Sequence, residues 1–155
     1  PPPPRPPPPP GGYKPPAVEA KSTAEQLALA RHLRDSGARF YGAYWCMYCG
    51  LQRAMFGAEG TQALPYIECD SQGYQSASAA CRATAEVSAY PTWEIGGNFY
   101  SGMQSFDELA RLSSFRSSSG SDKGVDLKID FSGSAPITRV GDDCALGLGG
   151  TEDCS

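Results

Sequence analysis

The stretch Arg39-Phe40-Tyr41-Gly42-Ala43-Tyr44-Trp45-Cys46-Met47-Tyr48-Cys49 decides the fold. Residues 39–44 are short, aromatic and almost free of charge, the pattern of a buried strand. That strand runs straight into Trp45 and a Cys-x-x-Cys motif. Residues 50–56 then supply helix formers, Leu51, Gln52, Arg53, Ala54 and Met55. A strand that delivers a cysteine to the start of a helix places its sulfur where unpaired amides and the helix dipole favour negative charge. The thiolate is the attacking species in disulfide exchange. Cys46 holds that position, and Cys49 lies one turn further on, where it resolves a mixed disulfide.

Working outward, residues 22–37 read as the first helix. Ser22 and Glu25 have capping-box spacing, Leu29 and Leu33 recur one turn apart, and Gly37 closes the end. His32, the single histidine, sits among Arg31 and Arg34 and reads as a surface residue. Residues 64–69 form a second strand candidate, and the alanine-rich residues 76–87 a helix that contains Cys81. Residues 92–95 and 99–101 flank Gly96-Gly97-Asn98, a strong hairpin signal. Ser105 and Glu108 again have capping-box spacing and open a last helix through Leu112. The order predicts an α/β fold with a mixed sheet: the first two strands parallel, the hairpin antiparallel, helices on the flanks.

The ends differ from the middle. Residues 1–21 are a proline-rich arm, expected to be extended polyproline II, either a stiff spacer or leftover of processing or a docking arm for a partner. Residues 22–115 carry the domain, and residues 116–155 a serine- and glycine-rich acidic extension. Within that extension residues 125–131 alternate apolar and charged, which predicts one extra strand.

With a formal charge of -4 and scattered basic residues, the chain lacks the basic face that nucleic acid requires. No apolar run reaches the roughly 18 residues of a membrane span, which predicts a soluble or peripherally associated chain. Six cysteines allow about 15 pairings. Proximity suggests Cys46–Cys49, Cys69–Cys81 and Cys144–Cys154. A bare Cys-x-x-Cys is also half a zinc site or an inert disulfide. With no second such motif and no histidine nearby, no metal and no other cofactor is predicted. Tyr90-Pro91-Thr92, some forty residues downstream, points to redox chemistry instead. A cis Pro91 there would shape a substrate groove with Trp45, Tyr90 and Thr92 beside Cys46, and leave its neighbour's backbone free to pair with a substrate strand.

In combination these residues resemble the thioredoxin superfamily. The resemblance is closer to the thioredoxin-like domain fused to vitamin K epoxide reductase homologues of plants and cyanobacteria. It is carried by Phe40 to Cys46, Cys49, Met55-Phe56-Gly57, Tyr66 to Cys69, Cys81, Pro91-Thr92-Trp93 and Ser101-Gly102, and covers about residues 22–114. It implies a thiol-disulfide oxidoreductase of the thylakoid lumen, or of a periplasm or similar oxidising lumen. Cys46 and Cys49 would be catalytic with Pro91, and Cys69–Cys81 a second disulfide, structural or relaying. Thiol-bearing proteins would be the substrates and a membrane partner that reduces a quinone the electron acceptor. The reductase's own membrane helices are missing from this sequence, so that acceptor would be another chain. Thioredoxins proper also carry a buried acid in the strand before the motif, and residues 40–44 have none, which suits an oxidant or a specialised exchanger.

Fold alone does not fix function. The second reading is therefore a structural accessory subunit of a large membrane assembly, photosynthetic on the same resemblance. Such a partner would hold the proline arm and the glycine-rich tail, which bury too little to order alone.

Overall fold

The computed structural model describes residues 1–4 and 6–117. The predicted extra strand and the Cys144–Cys154 pair lie outside those residues. Among the described residues five helices and four strands follow in the order α1 (Ala24–Asp35), β1 (Arg39–Gly42), α2 (Met47–Ala54), α3 (Gly57–Ala63), β2 (Tyr66–Glu68), α4 (Ser78–Ala83), β3 (Thr92–Ile95), β4 (Asn98–Ser101) and α5 (Phe106–Leu112). The sheet order is β2-β1-β3-β4. β1 pairs parallel with β2 and antiparallel with β3, and β3 pairs antiparallel with β4. This mixed sheet flanked by helices is a thioredoxin-like α/β fold.

The sheet divides the core because neighbouring strand residues point to opposite faces. Phe40 and Trp93 stack at 4.7 Å on one face, with Leu29, Leu33, Phe56, Leu109, Cys46 and Cys49. Tyr41 faces the other way, onto Cys69 and Cys81. Those two cysteines form the predicted disulfide, which ties the end of β2 to α4.

Several boundaries differ from the sequence expectation. The α1 cap is Thr23, paired reciprocally with Gln26, one residue later than the Ser22–Glu25 reading. Ser22 instead bridges α1 to the centre of the domain: its hydroxyl donates to the Phe56 carbonyl and accepts from the Gly60 amide. The helix after the motif is two helices. Gly57, with φ of 73°, breaks it, and a side chain there would run into Ser22. α4 is shorter than expected, because the chain turns extended at Thr84 and carries Val87 onto the disulfide cluster. His32 is half-buried rather than a bare surface residue. Its Nε2 lies 2.8 Å from the Ser113 carbonyl, and its ring packs on Phe115.

The proline-rich arm lies against the domain. The Tyr13 amide donates to the Gln72 carbonyl at 2.9 Å, and the Tyr74 amide donates to the Tyr13 carbonyl at 2.7 Å. The Tyr13 ring stacks on Tyr44 at 5.0 Å. Contacts within the chain group residues 1–115 as one compact unit.

Candidate active site

Cys46 is the N-cap of α2, with extended backbone, and its Sγ accepts the Cys49 amide at 3.2 Å. A capping serine or aspartate would make the same bond through oxygen. Here the cap is a thiol, and the dipole of an eight-residue helix points at it. Both cysteines are free thiols. Cys46 keeps 8% exposure at the surface, while Cys49 is fully buried beneath it. Burial pushes the Cys49 thiol up to about 12, and its bond with Cys46 adds to the rise. Cys49 therefore holds its proton in the dithiol and must shed it to attack.

The surroundings of Cys49 come from distant parts of the chain. Gly42 on β1 approaches it so closely that a methyl group there would sit 2.9 Å from Sγ. Arg53, one turn along α2, is 3% exposed, and its three guanidinium nitrogens have no hydrogen-bond partner among the described residues. Its guanidinium lies over the Tyr66 ring at 5.2 Å, and its charge acts to lower the Cys49 pKa against the burial.

Glu68 is paired in register with Gly42 and is buried. It accepts the Tyr66 hydroxyl at 3.0 Å and the amides of Asp70 and Tyr44 at 3.0 and 3.3 Å. Burial raises its carboxyl above the usual range, against the pull of those bonds. The strand that leads into the motif lacks an acid, but the strand beside it supplies one. Sequence reasoning missed Glu68 because only the register of β1 with β2 brings it near the motif.

Trp45 is exposed and held in place. Its indole donates to Asp70 Oδ2 at 2.7 Å, and its ring meets Tyr90 edge-on at 6.2 Å. Trp45, Cys46, Met47 and Tyr48 form one side of a cleft whose other side is residues 87–90. The Tyr90–Pro91 bond is cis, and Pro91 is buried. Of the three residues expected in the groove, Trp45 and Tyr90 line this cleft. Thr92 does not: it is buried, and its hydroxyl donates to the Ala89 carbonyl at 2.6 Å, bracing the turn before Pro91.

Gln52 is another residue that sequence reasoning passed over as a helix former. Fully buried, its side-chain oxygen accepts Trp93 Nε1 at 3.0 Å and the Gln104 amide at 2.8 Å, while its amide donates to the Gln104 carbonyl at 3.0 Å. It fastens α2 to the sheet and to the loop after β4. No three His, Cys, Asp or Glu side chains converge as a metal site among the described residues. No helix among them is long and apolar enough to cross a membrane.

No protein-family model matches the chain. A 100-residue stretch, 63% of this chain, is 37% identical to "Thiol-disulfide oxidoreductase LTO1" of Arabidopsis thaliana. The matched part spans only 27% of that protein's length. Together with a helix-capping cysteine and its buried partner, this likeness supports a thioredoxin-like redox family for the domain.

Proposed function

We propose that this chain is a thiol-disulfide oxidoreductase that works through Cys46 and Cys49 in an oxidising lumen. In the oxidised form these two sulfurs share a disulfide. A substrate thiolate attacks Cys46 Sγ, the Cys46–Cys49 bond breaks, and Cys49 leaves as a thiolate that takes up a proton. A second substrate thiolate then attacks the substrate sulfur of the mixed disulfide, and Cys46 leaves. The substrate gains a disulfide and the domain keeps two electrons as a dithiol. An external disulfide or a quinone-linked membrane partner reoxidises it.

The observation that carries this reading is the Cys46 sulfur capping α2, with Cys49 directly beneath it. The buried Cys69–Cys81 bond favours an oxidising compartment, because such bonds are rare where glutathione keeps thiols reduced. The family resemblance favours the thylakoid lumen of a plastid or cyanobacterium.

The test is oxidation of a reduced, unfolded protein by the full chain, with Cys46→Ser as control. Activity that vanishes in the variant supports the reading. A wild-type chain inert toward every thiol and disulfide offered supports the accessory-subunit role instead, for which the small exposure of Cys46 is the favouring observation.

A further inference from the structure

A second groove opens on the other side of Cys46, and the proline-rich arm builds its far wall. It has a volume of about 610 Å³, with residues 16–20 along one side and Trp45, Cys46, Met47, Leu51 and Ala54 along the other. Glu19 is the one charged residue in its lining. Large apolar side chains cluster around it at unusual exposure: Trp45 at 58%, Met47 at 66% and Leu51 at 48%. Such a patch, continuous with a reactive sulfur, is the mark of a binding surface.

The wall is held at both ends. On one side Tyr13 is bonded to Gln72 and Tyr74 and stacked on Tyr44. On the other, the Ala20 carbonyl accepts the Ala58 amide at 2.7 Å, and Ser22 is bonded to Phe56, Glu59 and Gly60. Between these anchors Ala17, Val18 and Glu19 make no hydrogen bond to the described residues. Pro15 and Pro16 have no amide to offer. Three unpaired residues beside an apolar trough form a short edge on which an extended chain can pair.

Resting on the redox reading above, we infer that this arm-walled groove binds the substrate's polypeptide next to its cysteine. The substrate class is an extended, unfolded segment with a large apolar side chain flanking the reactive cysteine. A strand advances about 3.4 Å per residue, so when the substrate sulfur meets Cys46 its near neighbours fall over Met47, Leu51 and Val18.

The test uses the full chain with Cys49→Ser, which halts exchange at the mixed disulfide. Short peptides carry one cysteine activated as a disulfide with thionitrobenzoate, flanked by leucine in one set and by serine or aspartate in another. Cys46 attacks the peptide sulfur, the peptide–thionitrobenzoate bond breaks, and the coloured thiolate leaves with the electron pair. Each rate is divided by that variant's rate with Ellman's disulfide, which reads Cys46 without the groove. The leucine set should react about tenfold faster, the return on burying part of one large apolar side chain. Leu51→Glu and Val18→Asp should each shrink that preference to about twofold or less.

No preference, or one that survives both substitutions, overturns the inference while leaving the redox reading intact. A self-associated chain whose dimer is broken by Leu51→Glu also overturns it, by assigning the groove to a second copy. Failure with Ellman's disulfide overturns the redox reading itself. Circular dichroism confirms the fold of each variant, and Leu51→Gln, a smaller change at an exposed site, repeats the test should Leu51→Glu misfold.

Discussion

Gly42 and Cys49 touch across the interface of β1 and α2 so closely that a single added methyl would come within 2.9 Å of the sulfur. Tyr66 Cε1 stands 3.0 Å from the same point, so the methyl would be crowded from two sides. Gly42→Ala should therefore cost about 1–3 kcal/mol by overpacking. It should also displace Cys49 and slow resolution of the mixed disulfide more than its formation. Chemical denaturation and single-turnover exchange separate the two effects.

Arg53 is a buried cation with no hydrogen-bond partner among the described residues. Its contact with the Tyr66 ring offsets only part of the cost of burying a charge without hydrogen bonds, so Arg53→Met should stabilise the domain by about 1–3 kcal/mol. The same change removes the positive charge that favours the Cys49 thiolate. Alkylation of Cys49 in a Cys46→Ala background should then slow by several-fold at a fixed alkaline pH. A destabilised Arg53→Met, or an unchanged Cys49 rate, contradicts the assignment.

Glu68 gives the stability a defined pH dependence. Burial raises its folded-state pKa above the unfolded value of about 4.3. The folded chain thus binds this proton more tightly than the unfolded chain. The stability that this provides is full below the unfolded pKa and is lost as pH rises through the folded one. Glu68→Gln keeps an acceptor for the Asp70 and Tyr44 amides but cannot ionise. It should melt above wild type at neutral pH, with the gap closing toward pH 4. The opposite slope would show that the carboxylate, and not the acid, is the favoured form in the fold.

Gln52→Leu tests the fastening of α2. It leaves the buried Trp93 indole and the part-buried Gln104 amide without this partner, at up to about 1–3 kcal/mol for each unsatisfied group. A melt should fall accordingly, and Trp93 fluorescence should shift with it. A loss below 1 kcal/mol in total would mean that water reaches both groups.

What the sequence made legible was local. Strand, Trp-Cys-x-x-Cys and helix are contiguous, the Gly96-Gly97 turn declares its own hairpin, and Ser105 caps α5 as its spacing predicts. What it concealed depends on contacts between remote segments. Glu68 and Asp70 reach the motif only through the β1–β2 register and the loop beyond it. The Ser22 reading fails by one residue because Thr23 offers the same chemistry, and Ser22 is needed elsewhere, against Phe56 and Gly60. The arm reads as a free polyproline segment until Tyr13 is seen on Tyr44, a ring contact between residues that no periodicity relates. Arg53 looks like any helix-forming residue until its burial is known.

The two described cysteine pairs lie on opposite faces of the sheet: Cys46 and Cys49 pack with Phe40 and Trp93, and Cys69 and Cys81 with Tyr41. The sheet backbone lies between the two couples, and Tyr90 packs against both clusters. Graded thiol buffers should accordingly titrate the domain in two separate steps, the accessible pair first. Breaking the sheltered bond, as Cys69→Ala with Cys81→Ala, should cost about 2–4 kcal/mol and leave the chemistry at Cys46 in place. On the proposed redox reading, electrons would then turn over on one side of the sheet while the second bond stays oxidised on the other.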